Sequence, residues 1–150
     1  MQVTNQTKTV YNFKNTCQNC FNDIEFPLLG DFSYGEMIFQ SKDGHDFYLA
    51  QLIDNRTFNF ILERLKVERE LIAEKADPQK VLTLVADKPI GKEFSTDYPI
   101  CPICKSKQNH YSDNIKTNTI ELPFVTWNNF QQMTESDKIE QIKKAVQMLT

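Results

Sequence analysis

Glycine is scarce in this chain, with four residues among 150. That leaves no glycine-rich loop to wrap a phosphate and points to regular elements joined by a few special turns. Long apolar runs are missing as well, and nothing approaches the roughly 20 consecutive apolar residues that a membrane-spanning helix needs. Residues 1–9 (Met-Gln-Val-Thr-Asn-Gln-Thr-Lys-Thr) hold no apolar stretch of the signal-peptide kind, so the cytoplasm is the expected compartment. Thiols stay reduced there and favour metal over disulfide. Positive charge is not in excess: 17 Lys+Arg face 20 Asp+Glu, a net charge of −3. The chain as a whole should therefore attract neither nucleic acid nor an anionic membrane. Histidine is rare too, limited to His45 and His110. Neither sits by spacing beside a serine or cysteine nucleophile, so acyl-transfer chemistry has no support.

What is present is ordinary for a globular chain: 40% hydrophobic and 25% charged residues. The length fits one domain spanning 1–150 with a proper core. Eleven Phe, five Tyr and one Trp supply large apolar area, which predicts an aromatic-rich interior.

Taken in order, residues 8–16 alternate loosely and read as a strand. Residues 17–25 form a turn and an exit strand, with Phe21 and Ile24 as packing residues, and Pro27 and Gly30 punctuate a loop. Tyr34–Ser41 and Asp46–Ile53 flank Lys42-Asp43-Gly44-His45, and Asp-Gly fits a two-residue hairpin turn. Both strands carry apolar residues on both parities (Met37, Ile38, Phe39; Phe47, Tyr48, Leu49), the pattern of strands covered on two faces. From Arg56 to about Lys75 the period changes to that of a helix, with Phe58, Ile61, Leu62, Leu65 and Ile72 on one face and Asp54 or Asn55 as cap. Asp77-Pro78 resets the chain. Residues 81–86 read either as a buried strand, from their β-branched content, or as a short helix capped by Asp77 with Pro78 at its first position; the balance tips to helix. Residues 87–100 are a connecting loop and Ile115–Leu122 a strand. Phe124, Val125, Trp127 and Phe130 form an aromatic cluster, read as core beneath the last helix rather than as a partner-binding patch. That helix starts at Thr134, with Asp137 three residues on and an apolar stripe of Ile139, Ile142, Val146 and Leu149.

The chemistry concentrates in the cysteines. All four lie in two Cys-x-x-Cys pairs, Cys17–Cys20 and Cys101–Cys104. A two-residue spacer lets both sulfurs of one turn point at the same centre, and two such turns close a tetrahedron around one zinc ion. The pairs are 81 positions apart from Cys20 to Cys101. Closing such a loop costs about 4 kcal/mol plus a constant, whereas a structural zinc returns roughly 10–16 kcal/mol at neutral pH. Separation is therefore no obstacle. Disulfides and redox use are the rivals; a thioredoxin-like site needs one pair at a strand–helix junction, and two pairs argue against it.

At these turns the chain resembles the zinc-ribbon group, whose two hairpin knuckles of the form Cys-Pro-x-Cys-Gly hold one zinc ion. Cys101-Pro102-Ile103-Cys104 follows that form, Cys17-Gln18-Asn19-Cys20 shares its cysteines, and Phe21 and Lys105 stand where the family has glycine. The resemblance implies a structural zinc ion on Cys17, Cys20, Cys101 and Cys104. Rubredoxins use the same paired pattern around iron, which stays open as the other metal.

Other candidates have duller explanations. His110 could replace a ligand if one cysteine faced away. Asp43, Asp46 and Asp54 suggest a carboxylate metal site less well than they suggest turn and cap chemistry. Lys105, Lys107 and Lys116, interleaved with His110 and Tyr111, make a thin basic footprint. The reading is therefore an α+β fold: an antiparallel sheet, two main helices and a four-cysteine zinc-ribbon-like site. The expected function is a non-enzymatic cytoplasmic protein with structural zinc whose surface binds another protein, of adaptor, regulator or inhibitor type. A nucleic-acid-binding zinc ribbon is the second reading, and an enzyme built from scattered polar residues the third.

Overall fold

The computed structural model describes residues 5–29, 35–67, 76–89, 91–108 and 115–149. Strand β1 (Asn5–Thr16) is the long central strand of a three-stranded antiparallel sheet, ordered β2-β1-β5 with β2 (Asp23–Leu29) and β5 (Ile115–Pro123). Its first part pairs with β5, from Asn5 opposite Pro123 to Phe13 opposite Ile115. Its later part pairs with β2, from Val10 opposite Leu29 to Thr16 opposite Asp23. Pro27 does not open a loop as its type suggested; it sits inside β2 opposite Asn12. An edge strand tolerates proline because the missing N–H can face away from the ladder, and the free Pro27 carbonyl accepts a hydrogen bond from the Tyr98 hydroxyl. Gly30 lies outside the described residues.

Strands β3 (Glu36–Gln40) and β4 (Phe47–Gln51) form a second, two-stranded antiparallel sheet. The expected two-residue turn is instead a four-residue loop, Lys42 to His45, closed by the Ser41 N–H donating to the Asp46 carbonyl at 2.9 Å. Asp43 drives this outcome. Its carboxylate accepts from the Ser41 hydroxyl and, at 3.0 Å, from the His45 N–H, an arrangement that rewards a wider turn. Gly44 supplies the positive φ, at +82°.

This hairpin lies between two apolar groups, as its two-parity pattern predicted. Phe39 and Ala50 pack with Ile61, Val81, Leu82, Trp127, Phe130, Ile142 and Val146 on the helical side. Leu49 packs with Val10 and Leu122 on the side of the first sheet. The Val125 N–H donates to the Leu49 carbonyl at 2.9 Å, so the chain leaving β5 runs along β4.

Helix α1 (Arg56–Val67) is capped by Asn55, whose side-chain oxygen accepts the Phe58 N–H at 3.0 Å. Thr57 and Ile61 are buried, whereas Leu62 faces water; Ile72 and the expected continuation to Lys75 lie outside the described residues. Helix α2 (Pro78–Leu84) takes the helical option, with Asp77 accepting the Gln79 N–H at 2.9 Å and Pro78 in the first turn. A four-residue helix, α3 (Asn128–Gln131), was not anticipated. Asp87 reaches across from the loop after α2 to accept the Asn128 and Asn129 N–H groups at 2.7 and 3.0 Å. Trp127 is core, its indole N–H donating to the Leu82 carbonyl at 3.0 Å. Helix α4 (Glu135–Leu149) starts as expected, with the Asp137 N–H donating to Thr134 Oγ1 at 3.2 Å, and buries Ile142, Ala145 and Val146.

Buried Gln40, at the end of β3, ties the hairpin to the second cysteine turn. Its amide nitrogen donates to the Gly44 and Ile100 carbonyls at 3.0 and 3.1 Å, and its oxygen accepts the Ile100 N–H at 2.9 Å. Gln40→Leu keeps the volume and strands three backbone groups out of water. We expect it to destabilise the protein by about 2–4 kcal/mol, seen as a lower midpoint in urea unfolding; an unchanged midpoint would disprove the role.

Candidate metal centre

Each cysteine pair occupies the same backbone turn. In the first, the Cys17 N–H donates to the Asn22 carbonyl at 2.9 Å and the Phe21 N–H to the Cys17 carbonyl at 2.8 Å. In the second, the Cys101 N–H donates to Ser106 at 2.9 Å and the Lys105 N–H to Cys101 at 2.8 Å. The residue after the second cysteine is left-handed in both, with φ of 63° at Phe21 and 65° at Lys105. These are the two positions where the zinc-ribbon pattern carries glycine, and the turn forms without it. Phe21 is consequently not a packing residue: the turn directs it outward, and it is 78% exposed, while Ile24 is buried as expected.

The first turn links β1 to β2. The second is bounded by an antiparallel bridge between Ile100 and Lys107. The hairpin loop of the second sheet rests against it so closely that a Cβ on Gly44 would lie 2.6 Å from Pro102 Cα. Lys105 reaches back to donate to the Asp43 carbonyl at 2.6 Å.

These supports bring the four sulfurs together. Those of Cys17, Cys20, Cys101 and Cys104 all lie within 4.8 Å of one another. Cys17 Sγ is 3.5 Å from Cys104 Sγ, and Cys20 Sγ 3.7 Å from Cys101 Sγ. A tetrahedron with metal–sulfur bonds of about 2.3 Å has edges of about 3.8 Å, so the cluster has the size of a tetrathiolate site. All four cysteines are free of disulfides. The cysteines are thus positioned to bind a metal ion in a zinc-ribbon-like arrangement.

Donors surround the sulfurs. Ser106 Oγ is 3.3 Å from Cys17 Sγ and 3.1 Å from Cys104 Sγ. The Ile103 N–H donates to Cys101 Sγ at 3.4 Å, and the Asn22 amide to Cys20 Sγ at 3.3 Å. The amide of buried Gln108 donates to Cys17 Sγ at 3.4 Å, and its oxygen accepts from Asn15 of β1 at 3.0 Å. The Ser106 hydroxyl first, and then the Cys20 N–H, pull the Cys17 thiol down to about 5. The Asn19 side chain and Ser106 bring Cys104 to about 7. Burial pushes Cys101 up to about 11. A cation at the centre would supply the charge that a buried Cys101 thiolate lacks.

The remaining sequence candidates stay apart from this cluster. His110 lies outside the described residues, and His45 is exposed on the hairpin loop. Asp43 and Asp46 form no carboxylate metal site, because both hold Lys92, at 2.8 Å from Asp43. That ammonium, helped by the Ser41 hydroxyl, holds the Asp43 carboxyl well below the usual range. Of the two cap candidates for α1, Asn55 takes the Phe58 N–H. Lys107 is exposed, and the Lys116 side chain lies outside the described residues. Ser106, Gln108, Asn22 and Asn15 were missed. Their signal was present in their spacing from the cysteines, since thiolates need donors close along the chain.

The chain matches no protein-family model, no curated protein and no solved structure.

A side chain held in the left-handed region costs roughly 1–2 kcal/mol relative to glycine. Phe21 makes the cleaner test because it is exposed, whereas Lys105 also donates hydrogen bonds. Phe21→Gly should stabilise the protein by about 1 kcal/mol, with a higher denaturation midpoint; Phe21→Ala, which leaves a Cβ in place, should not. Equal effects of the two substitutions would count against backbone strain as the cause.

Proposed function

We propose that Cys17, Cys20, Cys101 and Cys104 bind one structural zinc ion, and that the protein is a non-enzymatic interaction module of the reducing cytoplasm whose surface binds another protein. The convergence of four sulfurs within 4.8 Å carries this reading. Four thiolates fill the coordination sphere of zinc and leave no position for a water nucleophile, which favours a structural over a hydrolytic role. The large pKa displacements also fit that role. They fall on Cys17, Cys101 and Cys104 and on the Asp43–Lys92 pair, which braces the second turn. The same four thiolates suit iron as well as zinc, and metal analysis separates the two.

A protein partner is supported by the apolar residues carried outward on the two turns. Phe21 is 78% and Ile103 58% exposed, one on each turn, and they are the side chains that such a partner would cover. The nucleic-acid reading is weaker. Lys105 is engaged with the Asp43 and Pro102 carbonyls, which thins the basic footprint on a chain of net charge −3. Among the described residues, no helix is long and apolar enough to cross a membrane.

Elemental analysis of the native protein should give one zinc per chain and no visible absorbance; an iron–thiolate spectrum would replace zinc by iron. Cys17→Ser should lose the metal and lower Tm by roughly 10–20 °C, since each kcal/mol is worth about 2–4 °C at this size. A variant that kept its metal or its Tm would defeat the structural role. Retention on a polyanion column at physiological salt would favour nucleic acid over a protein partner.

A further inference from the structure

Away from the cysteines, a cleft of about 210 Å³ lies between the end of α2, one edge of α4 and the segment carrying Glu93 and Phe94. Drug-sized ligands occupy about 300 Å³ or more, so this space suits a group near the size of a leucine side chain with a polar head. Its apolar lining is Phe94, which is buried, with Leu84, Val85, Ala145 and Met148. Met148 is 69% exposed at the mouth, and methionine adapts its shape to a guest.

Charge at the rim decides the class of guest. Lys42, Lys88 and Lys144 line the cleft, against the single carboxylate of Glu93 among the described residues. Glu93 lies 2.8 Å from the Lys42 ammonium and 3.2 Å from that of Lys88. These contacts keep Glu93 ionised, so it offsets one ammonium and leaves the rim positive. The chain as a whole is negative, at −3. A local positive rim on an acidic protein concentrates small anions and repels cations. The Gln141 amide, three residues before Lys144 on α4, adds a donor.

We propose that this cleft binds a small apolar group bearing a carboxylate, with the apolar part against Phe94 and Leu84 and the carboxylate between Lys144 and Lys88. A neutral apolar guest would forgo the rim charge, and a long polyanion would meet the negative remainder of the surface. The carboxylate can come from a free short-chain acid or from the C-terminus of a peptide ending in leucine.

The test is an amide-resolved NMR titration of the full chain with hexanoate, with hexanol as the uncharged counterpart. In parallel, a short peptide ending in leucine is compared with its C-terminal amide. Hexanoate should shift the amides of Leu84, Phe94 and Ala145 and bind about tenfold more tightly than hexanol, with the difference shrinking in 0.5 M salt. Lys144→Glu should weaken binding about tenfold, while Lys143→Glu, with the same charge change one residue away and not lining the cleft, should leave it within about twofold. A free-carboxylate peptide that binds there more tightly than both hexanoate and its amide assigns the site to chain termini; a response to hexanoate alone assigns it to free acids. No shift at the cleft with either probe, equal binding of hexanol, or equal loss in the Lys143→Glu protein would overturn the proposal. None of these readouts depends on which metal the cysteines hold.

Discussion

Four sulfurs within 4.8 Å of one another, two of them from fully buried cysteines, set the electrostatic constraint on which this architecture turns. As thiolates near 4 Å apart, each pair would repel by about 4 kcal/mol at an effective dielectric constant of 20. The N–H and O–H groups of Ile103, Asn22, Gln108 and Ser106 soften that repulsion and aim the sulfurs, but they supply only partial charges. A dication bound at the centre would reverse its sign. The opposed tendencies of Cys17 and Cys101, one drawn down by donors and the other pushed up by burial, show how unevenly the surroundings alone can serve four thiolates.

Bringing the turns together falls to the hairpin of β3 and β4, which contributes no sulfur. Gln40 grips both backbone groups of Ile100, Gly44 lets the loop lie against Pro102, and Lys105 reaches the Asp43 carbonyl. Lys92 holds Asp43 and Asp46, fixing the loop from the other side. The first turn joins by a different route, through Asn15 to Gln108 and through the Tyr98 hydroxyl to Pro27. Much of the long loop between the cysteine pairs is thus scaffold, and its closure entropy is offset largely by packing and backbone bonds.

Features with a local cause were legible in the sequence. The paired cysteines gave the cluster, Asp77-Pro78 the start of α2, Thr134 and Asp137 the start of α4, and two-parity apolar runs the covered hairpin. What escaped depended on partners distant in sequence. Phe21 looked like core by residue type, but the left-handed turn decides where it points. Pro27 looked like a breaker, yet its place at a sheet edge makes it harmless. Asp43 shaped a wider loop because Ser41 and Lys92 share its carboxylate, and the second of these arrives 49 positions later. Gln108 and Ser106 read as ordinary polar residues until the sulfur of Cys17 is placed beside them.

How far the influence of the cysteine cluster extends depends on whether the apolar groups are separate. The cysteines pack with Ile24 and Phe26, while the helices share a larger interior of their own. Phe47 belongs both to the cysteine group and to the group of Val10, Leu49 and Leu122. The strand that carries it also carries Ala50 and Tyr48 into the helical interior. Gln40, the cross-strand neighbour of Phe47, links that same point to the second turn by hydrogen bonds. A disturbance at the sulfurs therefore reaches the hairpin by apolar contact and by polar contact at one register position. Because the hairpin is the layer shared by sheet and helices, a disturbance at the sulfurs should loosen both together, and unfolding should be cooperative rather than confined to the turns.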